Sequence, residues 1–216
     1  WQKRIIREAR IQGKPVIVST QMLESMTYSP TPTRAEVSDV ATAVFEGADA
    51  VMLSGESAVG VNPELAVKMM KNIAMSAERN PNYNSILSAQ LEETPDSTPD
   101  AIATAASTLA TELNSPMIIC YTQSGSTGIK VSRVRPQQLI LTVTPIIKTA
   151  RKLSLVWGAK CLVQKDASDL EEMIKITNVY SKKEKLTSVG DKIVITAGLP
   201  LKKPGTTNLL RVVKVS

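Results

Sequence analysis

Along the chain, short apolar runs alternate with longer stretches in which apolar residues return every three or four positions. The first stretch, WQKRIIREARIQGK, brings Ile5, Ile6, Ala9 and Arg10 to one face of a helix over 2–12, which Gly13 ends. A strand follows at 16–19. After the loop TYSPTP, Thr33 is an N-cap, and Glu36 three residues on completes a capping box. The helix behind it carries a buried stripe of Val37, Val40, Ala41, Val44 and Phe45, and Gly47 stops it before a strand at 50–53. Asn62–Pro63 opens a third helix, proline occupying the first turn where no amide donor is needed; Leu65, Met69, Ile73 and Ala77 share one face.

Residues 79–98 change character, being polar and broken by proline, and read as a linker between residues 1–78 and 99–216. Beyond it, Thr98–Pro99 starts a helix with the stripe Ile102, Ala105, Ala106, Leu109 and Leu113. The strand MIICY (117–121), a helix over 125–133 and the strand QLILTV (138–143) follow. Thr144–Pro145 caps a helix to Leu153, KCLV (160–163) is a further strand, and Ser168 with Glu171 opens a helix as a second capping box. IVITA and LLRVVKV close the chain with no room for a helix between them, so one of them is expected to run antiparallel. This alternation predicts an α/β domain with a mainly parallel five-stranded sheet covered on both faces. The strand–loop–helix–strand grammar of residues 14–58 predicts part of a TIM (β/α)8 barrel, whose chemistry sits at the C-terminal ends of the strands. Thr20 and Ser54 stand at those ends.

Composition narrows the chemistry. No His occurs, so neither a Ser–His nor a Cys–His nucleophile can be built from this chain alone. Cys120 and Cys161 each lie inside an apolar strand, as reduced thiols of a cytoplasmic protein do. A net charge of +6 admits an anionic partner, but the positives are scattered and aromatics are 3%, which argues against nucleic acid. No apolar run is long enough to cross a bilayer. No GxxxxGK[ST] or GxGxxG motif occurs, and GSTGIK at 125–130 has the wrong spacing for one. The chain starts at Trp1 in a rhythm already mid-helix, which reads as a protein whose N-terminal part lies outside this sequence.

The blocks TQMLESM, PTRAEVSDVATAVFEGAD and MLSGESA resemble the last two barrel strands of pyruvate kinase, and the likeness extends more loosely over the rest of the chain. The resemblance implies a cytoplasmic, glycolytic, homotetrameric enzyme that moves phosphate from phosphoenolpyruvate to ADP, giving pyruvate and ATP, with Mg²⁺ and K⁺. It implies that Thr20 is catalytic; on pattern alone, a strand-end threonine satisfying local backbone is the favoured reading. It also implies a subunit contact at Arg34, where the pattern alone gives a solvated helix start. Ser54 and Gly55, ahead of Glu56, are either a simple turn or a close approach to substrate phosphate. Thr122, Ser124, Gly125, Ser126 and Thr127, between a strand and a helix N-terminus, form an anion nest in which the resemblance places the phosphate of a sugar-phosphate effector. Some relatives carry basic residues where this chain has Gln123 or Ser126, and an aromatic and basic pair at Leu199 and Pro200; Lys202 and Lys203 are candidates to compensate. In the family, the phosphoryl-stabilising lysine and the ligands of Mg²⁺ and K⁺ lie upstream of Trp1, so no metal ligand is expected here and the chain alone is expected not to turn over. The alternative is a non-catalytic module that binds phosphorylated metabolites or mediates assembly.

Overall fold

Gln2–Ile11 forms the first helix (α1), buried through Ile6 and Arg10, while Ile5, expected on that face, is 56% exposed. It leads into a two-residue strand, Ile17–Val18 (β1), a 3-10 turn at Glu24–Thr27, and the helix Arg34–Phe45 (α2). The capping box at Thr33 forms as its spacing predicts: the Thr33 hydroxyl accepts the Glu36 N–H, and the Glu36 carboxylate accepts the Thr33 N–H at 2.7 Å. Ala50–Val51 (β2), a short helix Gly55–Ala58 (α3), Pro63–Glu78 (α4) and Tyr83–Ala89 (α5) complete this part.

β1 and β2 pair in parallel, Ile17 with Ala50 and Val18 with Val51, so α2 is the crossover that a parallel pair requires. The strands are shorter than expected because only two residues of each find a ladder partner. The buried faces are also rotated from the expected stripes. α2 buries Val40, Ala43 and Val44 and leaves Val37 36% exposed; α4 buries Ala66, Met70, Ile73 and Ala77 rather than Leu65 and Met69. The cause is that α2 packs on both α4 and α5, where Phe45 meets the Tyr83 ring at 6.1 Å between centroids.

This computed structural model describes residues 1–19, 21–89, 97–201 and 206–216, and its chain divides into two units, Trp1–Glu93 and Thr94–Ser216. In the second, Thr98–Glu112 (α6), Met117–Tyr121 (β3), Ser126–Arg133 (α7), Leu139–Thr144 (β4) and Ile147–Leu153 (α8) come first. Ala159–Val163 (β5), Leu170–Lys183 (α9), Lys192–Gly198 (β6) and Thr207–Lys214 (β7) follow. The sheet order is β5-β4-β3-β6-β7, parallel throughout except for the antiparallel β6–β7 edge, as the missing helix between those strands dictates.

Alternation along β3 splits the core. Met117, Ile119 and Tyr121 point to the layer holding Met173 of α9, and Ile118 and Cys120 to the layer of α6 and α7. α6 meets the sheet through Ala103, Ala106 and Ala110, not the bulkier stripe expected, because alanines let a helix approach closely. The α9 cap is shifted by one residue: Asp169 accepts the Glu172 N–H at 2.8 Å, and Glu172 accepts the Ser168 N–H, so the expected pair Ser168/Glu171 gives way to Asp169/Glu172.

Packing is tight where α7 crosses β4. A methyl group on Gly128 would lie 2.5 Å from Thr142 Cγ2, in a site where Thr142 is fully buried. Gly128→Ala gains about 1 kcal/mol of helix propensity but overpacks this contact, at a cost of about 1–3 kcal/mol. The urea midpoint of the unit is expected to fall in Gly128→Ala and to recover when Thr142→Ser removes the opposing methyl, a coupling that a double-mutant cycle measures.

Candidate functional site

Two sets of residues collect at C-terminal strand ends, one in each unit. In the first unit, the chain leaves β1 through Gln21, whose φ of +40° lies in the left-handed region uncommon for a side-chain-bearing residue. Met22, Leu23 and Met26 then turn into the core and are almost fully buried. Much of the block TQMLESM is therefore packing. Thr20 lies outside the described residues.

Two carboxylates fix this loop. Glu56 on α3, 3% exposed, accepts the Leu23 N–H at 3.0 Å through Oε1 and the Ser54 N–H at 2.8 Å through Oε2. Glu36 accepts the Ser25 N–H at 2.7 Å and the Ser25 hydroxyl at 2.5 Å, in addition to its capping bonds to Thr33. Burial works to raise both carboxyls. For Glu36 the donors from Ser25 and Thr33 outweigh it; for Glu56 its own N–H and those of Ser54 and Leu23 do so, against a smaller opposing push from Glu36. Both groups are held below the ordinary carboxylate value. Ser54 is exposed and Gly55 half-buried beside Thr27, whose carbonyl accepts the Val61 N–H, so the loops after β1 and β2 are neighbours. Arg34 is exposed in the first turn of α2.

In the second unit, the sheet reverses its strand order beside β3: β4 and β5 lie to one side and β6 to the other. Such a switch point opens a crevice at the carboxyl ends of the strands. There a small pocket of about 40 Å³ is lined by Thr122, Ser124, Ser126, Thr127, Asp166 and Thr207, among others. Gly125 lies beneath it, packed near Thr149 and Leu153, and takes φ +91° as the N-cap of α7. Its N–H donates to the Thr122 hydroxyl at 2.9 Å, which closes the turn. Ser124 and Ser126 share a hydroxyl contact at 3.1 Å at the mouth, and the buried Thr127 and Thr207 hydroxyls pair at 2.7 Å. Gln123 donates to Asp166 at 2.7 Å, and its carbonyl accepts from Thr149 at 2.7 Å. Hydroxyls and the N-terminal amides of α7 suit an anion, and Asp166 suits a hydroxylated ligand. Lys202 and Lys203 lie outside the described residues.

The remaining titratable candidates are inert. Burial pushes the Cys120 thiol up, far from a reactive thiolate, and burial moves Tyr121 up to about 12 while its hydroxyl donates to the Met173 carbonyl at 2.8 Å. Among the described residues, no three Cys, Asp or Glu side chains gather into a set that could hold a metal ion.

Two family profiles match the chain: "Pyruvate kinase, barrel domain" over residues 1–67 and "Pyruvate kinase, alpha/beta domain" over residues 100–213. The chain belongs to the pyruvate kinase family. It is 49% identical to the pyruvate kinase of Methylorubrum extorquens and 46% identical to that of Agrobacterium vitis, in each case over the whole chain and 45% of the relative. It is 44% identical to the pyruvate kinase of Staphylococcus haemolyticus, over 97% of the chain and 36% of the relative. Among solved structures it resembles Cryptosporidium parvum pyruvate kinase, with a TM-score of 0.87 at 36% identity over the whole chain and 43% of that protein. The same enzyme in complex with ADP gives a TM-score of 0.82 at 37% identity, with the same coverage. The chain thus spans less than half the length of these pyruvate kinases.

Reading the sequence did not single out Asp166, Thr206 or Thr207 as pocket residues. Asp166 stands shortly before a helix cap and the threonines at the start of an edge strand, so only the sheet order brings them to Thr122–Thr127. Nor did it show that Glu36 and Glu56 serve the same loop, since their partners are 11 and 33 residues away.

The depressed carboxyls make acid sensitivity testable. A group whose folded-state pKa lies below its unfolded value contributes stability above that value and loses it as pH falls through the folded-state pKa. The amide resonances of Ser25 and Thr33 are therefore expected to titrate together with a midpoint below the ordinary glutamate value of 4.5. Thermal stability of this unit should fall over the same range, and Glu36→Gln should remove the shared titration.

Proposed function

We propose that this chain is the C-terminal portion of a pyruvate kinase whose full length transfers a phosphoryl group from phosphoenolpyruvate to ADP, giving pyruvate and ATP in the last step of glycolysis. The supporting observation is identity of 49% across the whole chain to a pyruvate kinase of which it covers 45%. ADP as a partner also draws on the relative whose structure is described as a complex with ADP.

In this reading Thr20 is the catalytic residue of the segment. Its hydroxyl hydrogen-bonds the substrate and helps place a proton near the enol carbon. The strained Gln21 beside it and the pinned loop beyond it are what a preorganised group needs. Ser54 and Gly55 line the approach of substrate phosphate. Mg²⁺ and K⁺ serve the parent enzyme by neutralising charge on the transferring group, with ligands in the part of the enzyme upstream of Trp1. The parent is a cytoplasmic homotetramer, with Arg34 at a subunit contact, and this chain alone is inactive.

A second reading, a non-catalytic module for phosphorylated metabolites or assembly, is favoured by the pocket at Thr122, Ser124, Ser126 and Thr127. There the amides of α7 would take the phosphate and Asp166 the sugar hydroxyls of an effector. Both readings are testable in a full-length pyruvate kinase carrying this segment. Thr20→Ala is expected to lower kcat by about 100-fold or more, with stability within about 0.5 kcal/mol of the parent. Unchanged turnover would leave only the module. Ser124→Ala and Ser126→Ala are expected to weaken sugar-phosphate binding about 10-fold by calorimetry, one lost hydrogen bond each.

A further inference from the structure

A carboxylate buried among backbone donors differs from one that pairs with a cation. Glu56 is 3% exposed, and each of its oxygens accepts a different N–H: Leu23 from the loop after β1, Ser54 from the loop after β2. The two donors are 31 residues apart in sequence and belong to different strand ends. An amide side chain of the same size cannot replace the carboxylate, because its NH₂ would face an N–H. The contact is therefore specific to a group with two acceptor oxygens.

Backbone strain lies next to it. Gln21 holds φ +40° two residues before Leu23, and such a conformation persists only where the surroundings over-determine it. The buried side chains of Met22 and Leu23 restrain it from within the core, and the Leu23 N–H to Glu56 bond adds a restraint on the backbone itself. On the other side the same carboxylate sets Ser54, the last residue of the loop after β2 and the N-cap of α3.

We propose that Glu56 is a positioning residue for phosphoryl transfer: a single carboxylate clamp that fixes the Thr20-bearing loop and the Ser54–Gly55 loop relative to one another. The clamp touches no reacting atom. It acts by holding two catalytic loops in one arrangement, and its catalytic half rests on the pyruvate kinase reading above. Glu36, which grips the same loop at Ser25 from α2, restrains only one of the two loops and so is not equivalent.

Two measurements test this. In the 216-residue chain, hydrogen exchange by NMR should show slow Leu23 and Ser54 amides; in Glu56→Gln at least one of them is expected to exchange 10-fold or more faster (about 1.4 kcal/mol or more of lost protection), while the α2 amides of Val40 and Val44 stay protected. Leu23 and Ser54 amides that keep their protection would refute the clamp. In a full-length pyruvate kinase carrying this segment, Glu56→Gln is expected to lower kcat by roughly 10- to 100-fold with KM changed less than about 3-fold. Glu56→Asp, which keeps both acceptors on a shorter arm, should recover part of kcat and serves where Glu56→Gln does not fold. A kcat within about 3-fold of the parent, despite lost protection at Leu23 and Ser54, would overturn the positioning role. So would a kcat that falls only in proportion to the folded fraction. A parent protein that makes no pyruvate would overturn the enzyme reading and the catalytic half of the proposal with it, while the exchange experiment still decides the clamp.

Discussion

Parallel pairing is the constraint on which the rest of this chain depends. Two parallel strands cannot be joined by a tight turn; each must send the chain back along a helix before the next strand begins. β1–α2–β2 in the first unit and β3–α7–β4–α8–β5–α9–β6 in the second obey that rule. One result is chemical rather than architectural. All the strands of a parallel set end on the same side, so the loops that leave them accumulate there. The loops after β1 and β2 meet through Glu56, and those at the ends of β3 and β6 enclose the hydroxyl pocket. Neighbourhoods of this kind arise from topology without any closeness in sequence.

Much of the fold was legible because the signals are local. The Thr33–Glu36 box, the proline at 63 and the run MIICY announce their elements within a few residues, and each stands where its pattern puts it. Which face of a helix is buried was less legible. α2, α4 and α6 all turn from their expected stripes, because the partner helix or sheet decides the face and small residues such as Ala103 and Ala106 win where close approach matters more than bulk. The block TQMLESM gave the family but not its division of labour: Met22, Leu23 and Met26 fill the core. Pocket residues contributed from distant loops, Asp166 and Thr207, left no signal of their own.

The two units solve the problem of a buried carboxylate in different ways. Glu56 is satisfied by dipoles, the N–H groups of two loops, and adds no net ion pair to its surroundings. Asp100, 5% exposed at the start of α6, is satisfied by cations: Lys130 at 2.5 Å and Arg133 at 2.6 Å, both from α7, with the Ser97 hydroxyl on its second oxygen. There burial raises the carboxyl, but Lys130, Ser97 and Arg133 together bring it below its ordinary value. A cation pair of this sort locks two helices and tolerates only a charged partner set, because removing one member strands the others in a poorly solvated place.

The few aromatic residues also have an optical consequence. The chain holds two tryptophans, one in each unit. Trp1 is 90% exposed, whereas Trp157 is half-buried under the Arg135 guanidinium, 4.9 Å from the ring centroid, with its carbonyl accepting the Ser132 hydroxyl. An indole in water emits at longer wavelength and is open to a soluble quencher; one beneath a guanidinium in a protein wall emits at shorter wavelength and is shielded. The two units therefore carry native fluorophores of different colour, and unfolding of the second shows as a shift of Trp157 emission to longer wavelength over a Trp1 signal that is already that of an indole in water.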